Sequence, residues 1–147
     1  EAFALNDYNE AGARVLRQEV ENYVDDFICR SGWEKYRENC CCIATSSSPL
    51  RLAAMIAGAG EYDRQAMDGV KMSAEGMDRQ IAAVYVSTEA ERAVSPYIGQ
   101  KRATIFIAAC VIFQAIYQKL GLKELTASLK SAKDGIIEEL REEKWQN

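Results

Sequence analysis

Ala103–Leu120 reads ATIFIAACVIFQAIYQKL, and this stretch decides the fold that the sequence predicts. Fourteen of its eighteen residues are apolar, including the unbroken run from Ile105 to Phe113. A helix that is apolar on every face must be surrounded by protein or by lipid. The run is shorter than the roughly 20 apolar residues that a membrane span requires. The stretch therefore predicts a central core helix at residues 103–120, whose core residues include Ile105, Ile107, Ile112 and Ile116.

The segments on both sides of this helix show amphipathic patterns. Apolar residues recur at three- and four-residue spacing in residues 7–29, 61–86 and 123–144, which is typical of helices with one buried face. The best β-forming stretch, residues 81–86, has helical flanks, so no strand is predicted. The sequence thus predicts an all-α fold: a compact multi-helix bundle around the central hydrophobic helix, in a single domain covering residues 1–147.

A run of small polar residues, Thr45-Ser46-Ser47-Ser48-Pro49, is interpreted as a linker. Ser48 followed by Pro49 also favours a helix start, because serine caps helices and proline suits the first helical position. The glycines in residues 58–60 do not indicate a phosphate-binding loop, because no strand precedes them and no Gly-Lys-Ser/Thr ending follows.

Charge and composition argue against several classes of function. The net charge is -4, which does not favour a nucleic-acid partner, since phosphate backbones bind basic faces. The chain contains no histidine, so Ser-His-Asp and Cys-His catalysis and imidazole metal sites are excluded. Acidic pairs such as Asp25-Asp26 and Glu138-Glu139 are typical of solvated helix faces. We therefore expect no enzyme activity, no catalytic or metal-binding residues and no cofactor.

The five cysteines are Cys29, Cys40, Cys41, Cys42 and Cys110. No Cys-x-x-C pair exists, which argues against a zinc ribbon or a thioredoxin-like site. Because a bridge between adjacent cysteines is strained, the triple cluster is expected to pair outward with Cys29 and Cys110. Two disulfides and one spare thiol would suit an oxidising compartment. The Glu-Ala start also resembles what a trimmed secretion leader leaves.

These observations favour a secreted, extracellular helical binding protein that disulfides stabilise. A killer toxin or effector acting on another cell, through a protein or cell-surface target, fits this class. The alternative is a cytoplasmic helical interaction or dimerisation protein with reduced cysteines. A carboxylate- or cysteine-dependent enzyme is a third, less favoured class. Membrane contact by the apolar helix is not favoured, and a homo-oligomer is compatible with either interpretation.

Overall fold

The computed structural model describes residues 5–145, with side chains as far as Arg141. These residues form six α-helices, three β-strands and a 3₁₀ turn at Trp33–Lys35. The elements are α1 (Glu10–Ser31), β1 (Ile43–Thr45), α2 (Ser47–Ala57), β2 (Lys71–Ser73), α3 (Ala74–Val86), α4 (Glu89–Val94), α5 (Phe106–Lys119), β3 (Glu124–Ser128) and α6 (Ala132–Trp145).

The prediction of an all-α bundle is wrong, because the three strands form a mixed sheet in the order β1-β3-β2. β1 runs parallel to β3, and β2 runs antiparallel to β3. Strands of three to five residues contain at most two full alternations of side chains, so they give almost no periodic signal. Two of the strands lie inside segments whose longer helical pattern conceals them.

β3 lies in the segment that was predicted to begin the last helix. Its side chains alternate, with Leu125 and Ala127 buried and Thr126 and Ser128 half-buried, as expected for a strand between two neighbours. Gly121, with φ of 68°, adopts the left-handed conformation that allows the chain to turn between α5 and β3. The last helix therefore begins only at Ala132.

The predicted helix at residues 61–86 is also shorter than expected. Its first part is a loop leading to β2, and α3 begins at Ala74. The Ser73 hydroxyl accepts a hydrogen bond from the Gly76 N–H at 3.1 Å and so caps α3. The apolar residues of this segment are divided between two elements: α3 buries Met77, Ile81 and Val84, and β2 buries Met72.

α5 is a core helix on one face only. Its buried side chains include Phe106, Ile107, Val111 and Tyr117, and it packs against α1, α2 and α3. Of the other isoleucines assigned to the core, Ile116 is half-buried, Ile112 is 38% exposed and Ile105, which precedes the helix, is 52% exposed. No helix within residues 5–145 combines the length and apolar character that a membrane crossing demands.

The buried guanidinium of Arg92 joins three segments of the chain. Arg92 of α4 is 1% exposed, and its guanidinium donates hydrogen bonds to the backbone carbonyls of Asn6, Ser87 and Ala103. The Asp7 carboxylate lies 3.3 Å from the same guanidinium. Arg92 thus fixes the segment before α1 and the segment before α5 to the α3–α4 connection.

Candidate functional site

The two parallel strands end side by side. Thr45 and Ser128 are the last residues of β1 and β3, and they are paired in the register of the sheet. Each strand then leads toward a helix, β1 into α2 and β3 into α6. In open α/β sheets, ligands bind outside the carboxyl ends of the strands, so this edge is the first place to seek a site. We call it the carboxyl edge.

The connection from β1 to α2 is a tight turn with a strained residue. Ser46 has φ of 105°, which is rare for a residue with a Cβ atom and costs about 1–3 kcal/mol. Its side chain makes no capping hydrogen bond to the first turn of α2. The N–H groups of Ser47 and Ser48 therefore have no cap from Ser46, while Pro49 carries no N–H. Such a helix start attracts anions through its N–H groups and its dipole.

The connection from β3 to α6 supplies further polar groups at the same edge. The Ser128 hydroxyl accepts a hydrogen bond from the Lys130 N–H at 3.1 Å, and the Lys130 side chain is exposed. Ser131 donates to the Asp134 carboxylate from its N–H at 2.7 Å and from its hydroxyl at 2.8 Å. These two bonds lower the pKa of Asp134, which keeps its charge and stabilises the start of α6.

The segment before β2 reaches the carboxyl edge as well, because β2 is antiparallel to β3. The Gly69 N–H donates to the Ala127 carbonyl at 2.9 Å, and the Asp68 carboxylate accepts from the Leu129 N–H at 2.7 Å. Both carboxylates at this edge, Asp68 and Asp134, thus hold backbone N–H groups in place. The remaining groups there are hydroxyls, helix N–H groups and a lysine, a set that suits an oxyanion.

An apolar groove lies beside β1 and ends at the carboxyl edge. Its cavity measures about 550 Å³ and extends to Ser46 and Ser48. Ile112 and Ile116 of α5 form one side, and Phe27 and Trp33 lie at the far end. The Trp33 indole is held by a hydrogen bond from Nε1 to the Leu120 carbonyl at 3.1 Å.

The predicted disulfides are absent, since all five cysteines are free thiols. Cys110 points into the core, whereas Cys29, Cys40 and Cys41 are exposed, so the expected pairing partners lie in different environments. Burial raises the pKa of Cys110 to about 12. The Sγ atoms of Cys40 and Cys42 lie 3.7 Å apart, well beyond the bonded distance of about 2 Å. The number of cysteines, from which two disulfides and one spare thiol are predicted, contains no information about these distances.

A polar cluster between α3 and α5 is a structural feature. The Asp78 carboxylate accepts hydrogen bonds from Gln114 Nε2 at 2.7 Å, Tyr117 Oη at 2.5 Å and Gln118 Nε2 at 3.0 Å. Burial raises the pKa of Tyr117, as does its bond to Asp78, so the phenol remains a donor. Within the described part of the chain, no three His, Cys, Asp or Glu side chains are grouped so as to hold a metal ion.

The carboxyl edge is not predicted from the sequence, because Thr45–Pro49 is interpreted there as a linker. The sequence does contain one indication of this edge: small hydroxyl residues connect the short apolar stretch at Ile43 and Ala44 directly to a helix start. The helix begins at Ser47, one residue after Ser46, which places Pro49 at its third position. A glycine-based phosphate-loop pattern does not detect this turn, because the turn contains no glycine.

No family model matches this chain, and no curated protein matches it. Solved structures do. A Ppx/GppA family member from Aquifex aeolicus is 16% identical to this chain and superposes with a TM-score of 0.71. The match covers 91% of this chain and 42% of the Aquifex protein. An exopolyphosphatase-like protein is 18% identical with a TM-score of 0.76, and the match covers 88% of this chain and 42% of that protein. An exopolyphosphatase from Cytophaga hutchinsonii is 18% identical with a TM-score of 0.62, and the match covers 84% of this chain and 41% of that protein.

These similarities establish the fold, which is that of a part of the Ppx/GppA structures. This chain spans about two fifths of the length of the proteins that it matches. The matches and the five free thiols contradict the predictions of a secreted, extracellular, disulfide-stabilised toxin or effector and of a protein without enzymatic character. The alternative of a helical interaction protein gains no support from them either. The expectations about partners stay predictions.

Proposed function

We propose that this chain supplies the phosphate-binding part of a phosphatase that acts on polyphosphate or a similar chain of phosphoanhydrides. The support is a combination of fold and chemistry. Proteins described as a Ppx/GppA family member, a Ppx/GppA phosphatase, an exopolyphosphatase-like protein and an exopolyphosphatase share its architecture over 84–91% of its length. In this chain, the carboxyl edge of that fold gathers hydroxyl and N–H donors.

The observation that carries the proposal is the paired ending of β1 and β3. Because Thr45 and Ser128 are register partners, their Cα atoms lie roughly 5 Å apart. A phosphate group bound between them meets hydroxyls from both strands and the N–H groups of Ser47 and Ser48. The dipole of α2, a helix of 11 residues, adds favourable electrostatic energy at this end.

The role of this chain in the reaction is to bind and orient phosphate. Asp68 and Asp134, the carboxylates at the edge, accept hydrogen bonds from backbone N–H groups, so neither is assigned as the base that activates water. Phosphoryl transfer depends largely on positioning and on neutralising the oxygens of the transferred group. We assign that task to the carboxyl edge, and the activating groups to polypeptide outside these 147 residues.

Binding of inorganic tripolyphosphate tests the proposal. We expect the amide resonances of Ser47, Ser48 and Ser128 to shift on titration, with affinity that falls as salt rises. Ser47→Asp places a carboxylate at the same helix start and should weaken binding by at least about tenfold, through charge repulsion of more than about 1.4 kcal/mol.

Ser73→Asp is the matched control. It makes the same change at the start of α3, where aspartate is an equally good cap, and Ser73 lies at the opposite end of the sheet beside Glu124. Binding by this variant should equal that of the wild type. Equal loss in both variants, or shifts confined to residues away from the carboxyl edge, would contradict the proposal.

A further inference from the structure

We propose that the outer edge of β1 binds an extended polypeptide segment, which pairs with β1 as an additional strand and covers the apolar groove. The occupant is a β-strand from polypeptide outside these 147 residues. The inference rests on the hydrogen-bonding direction of β1 and on the exposed apolar surface beside it. It does not depend on phosphate binding.

The backbone of β1 has one satisfied side and one open side. The Thr126 N–H donates to the Cys42 carbonyl at 2.9 Å, so the backbone groups of Cys42 face β3. Because successive residues of a strand point their backbone groups to opposite sides, Ala44 also faces β3, whereas Ile43 and Thr45 face away. Within residues 5–145, β3 is the only strand that pairs with β1. The outward N–H and C=O groups of Ile43 and Thr45 therefore offer donors and acceptors to another strand.

The surface next to this open side is apolar. Ile43 is 63% exposed, Phe27 is 49% exposed and Ile112 is 38% exposed, and all three line the groove. A second hollow of about 460 Å³, lined by Val20, Tyr23 and residues shared with the groove, continues this surface along α1. Contiguous exposed apolar patches of this kind mark interaction sites, whereas single exposed residues do not.

The open strand edge determines what kind of occupant fits. A helix satisfies its backbone groups internally and would leave those of Ile43 and Thr45 unpaired. An added strand satisfies them and places alternate side chains against the groove. The structurally similar proteins are more than twice as long as this chain, so in them further polypeptide accompanies the same architecture. The open edge favours a strand over a helix, and the greater length of the similar proteins favours additional polypeptide over a second copy of this chain.

The groove also connects the added strand to the candidate site. Its cavity extends from Phe27 and Trp33 to Ser46 and Ser48 at the carboxyl edge. A segment that pairs with Ile43 and Thr45 therefore has one end beside the turn that leads into α2. Such a segment is positioned to bring side chains that this chain lacks to the phosphate-binding turn.

Amide exchange with a strand-forming peptide tests the inference. The probe is a short blocked peptide that alternates valine and threonine between terminal lysines. With saturating peptide, exchange at the Ile43 and Thr45 amides should slow by at least about tenfold, because both become hydrogen-bonded. The Ala44 amide, already paired with β3, should change little. A peptide of the same sequence with alternate residues N-methylated cannot pair and should give no protection.

Two variants examine the role of the groove. Ile112→Glu places a charge in the groove and should abolish the protection, whereas Val94→Glu makes the same kind of change at an 83% exposed residue outside it and should not. Protection that is absent with the peptide, or retained in Ile112→Glu, would overturn the inference. Ile43 and Thr45 amides already protected without peptide, together with a dimeric mass in solution, would show instead that a second copy occupies the edge.

Discussion

Arg92 offers the most demanding test of the packing described above. It is the largest fully buried side chain of the core and the one buried charge among residues 5–141, whose side chains the structure describes. Its guanidinium bonds to three carbonyls, those of Asn6, Ser87 and Ala103, and its charge is partly balanced by Asp7. We expect Arg92→Met, which keeps an unbranched apolar stem but removes the guanidinium, to destabilise the fold strongly.

The magnitude follows from the groups that are left behind. Three carbonyls lose a charged donor, and each loss of a hydrogen bond to a charged group is worth about 1.5–3 kcal/mol. The better apolar packing of methionine and some entry of water offset part of this sum. The expected decrease in the free energy of unfolding is therefore about 3–5 kcal/mol, which for a chain of this size lowers Tm by roughly 10–15 °C.

Urea and thermal unfolding followed by circular dichroism measure this change. Arg30→Met is the control, because the Arg30 side chain is 78% exposed and, among the described side chains, pairs only with Asp26, so its removal should alter stability by less than about 0.5 kcal/mol. Amide exchange in residues 5–9 should also accelerate in Arg92→Met, since that segment loses its anchor. A stability within about 0.5 kcal/mol of wild type would refute the reasoning.

Two further predictions concern α5. Ile107→Asp should yield no folded protein, because Ile107 is fully buried and an unpaired charge there costs several kcal/mol. Ile112→Asp, on the exposed face, should fold with a loss of about 1 kcal/mol in the free energy of unfolding. Equal solubility and equal melting temperatures of the two variants would contradict the assignment of faces. Burial raises the pKa of Cys110 from about 9 to about 12, so the contribution of the neutral thiol to stability is complete below pH 9 and is lost as pH rises toward 12. The decrease in the free energy of unfolding over this pH range should be smaller in Cys110→Ala, and Cys29→Ala, at an exposed cysteine, should show the same decrease as the wild type.

The sequence predicted the helical parts of the fold better than the sheet. The apolar run from Ile105 to Phe113 forms a helix from Phe106 onward, and the pattern at residues 7–29 corresponds to α1. The error lay in assuming that an apolar helix is covered on all sides. Ile112 is 38% exposed because the surface beside β1 is open in this chain, and no property of residues 103–120 alone encodes that opening.

The candidate site could not be predicted because it depends on pairing between distant residues. Ile43 and Thr126 are register partners, although the three-residue strand β1 has too few side chains to show a period. Only that pairing brings the serine-rich turn beside Ser128. The cysteine cluster is conspicuous in the sequence, yet the phosphate-binding groups that we propose are the hydroxyl residues that follow it.

The parallel pairing of β1 with β3 has a consequence for how this protein folds. It closes a loop of 83 residues, the separation of Ile43 and Thr126, which costs about 4 kcal/mol of chain entropy for a flexible chain. Three residue pairs return little of that free energy, so the ladder forms only when α2 and α5 have already packed. Contacts of such long range slow folding. We therefore expect the carboxyl edge to assemble late in folding, so that the anion binding proposed there would report on the packing of α2, α5 and the sheet rather than on a local loop.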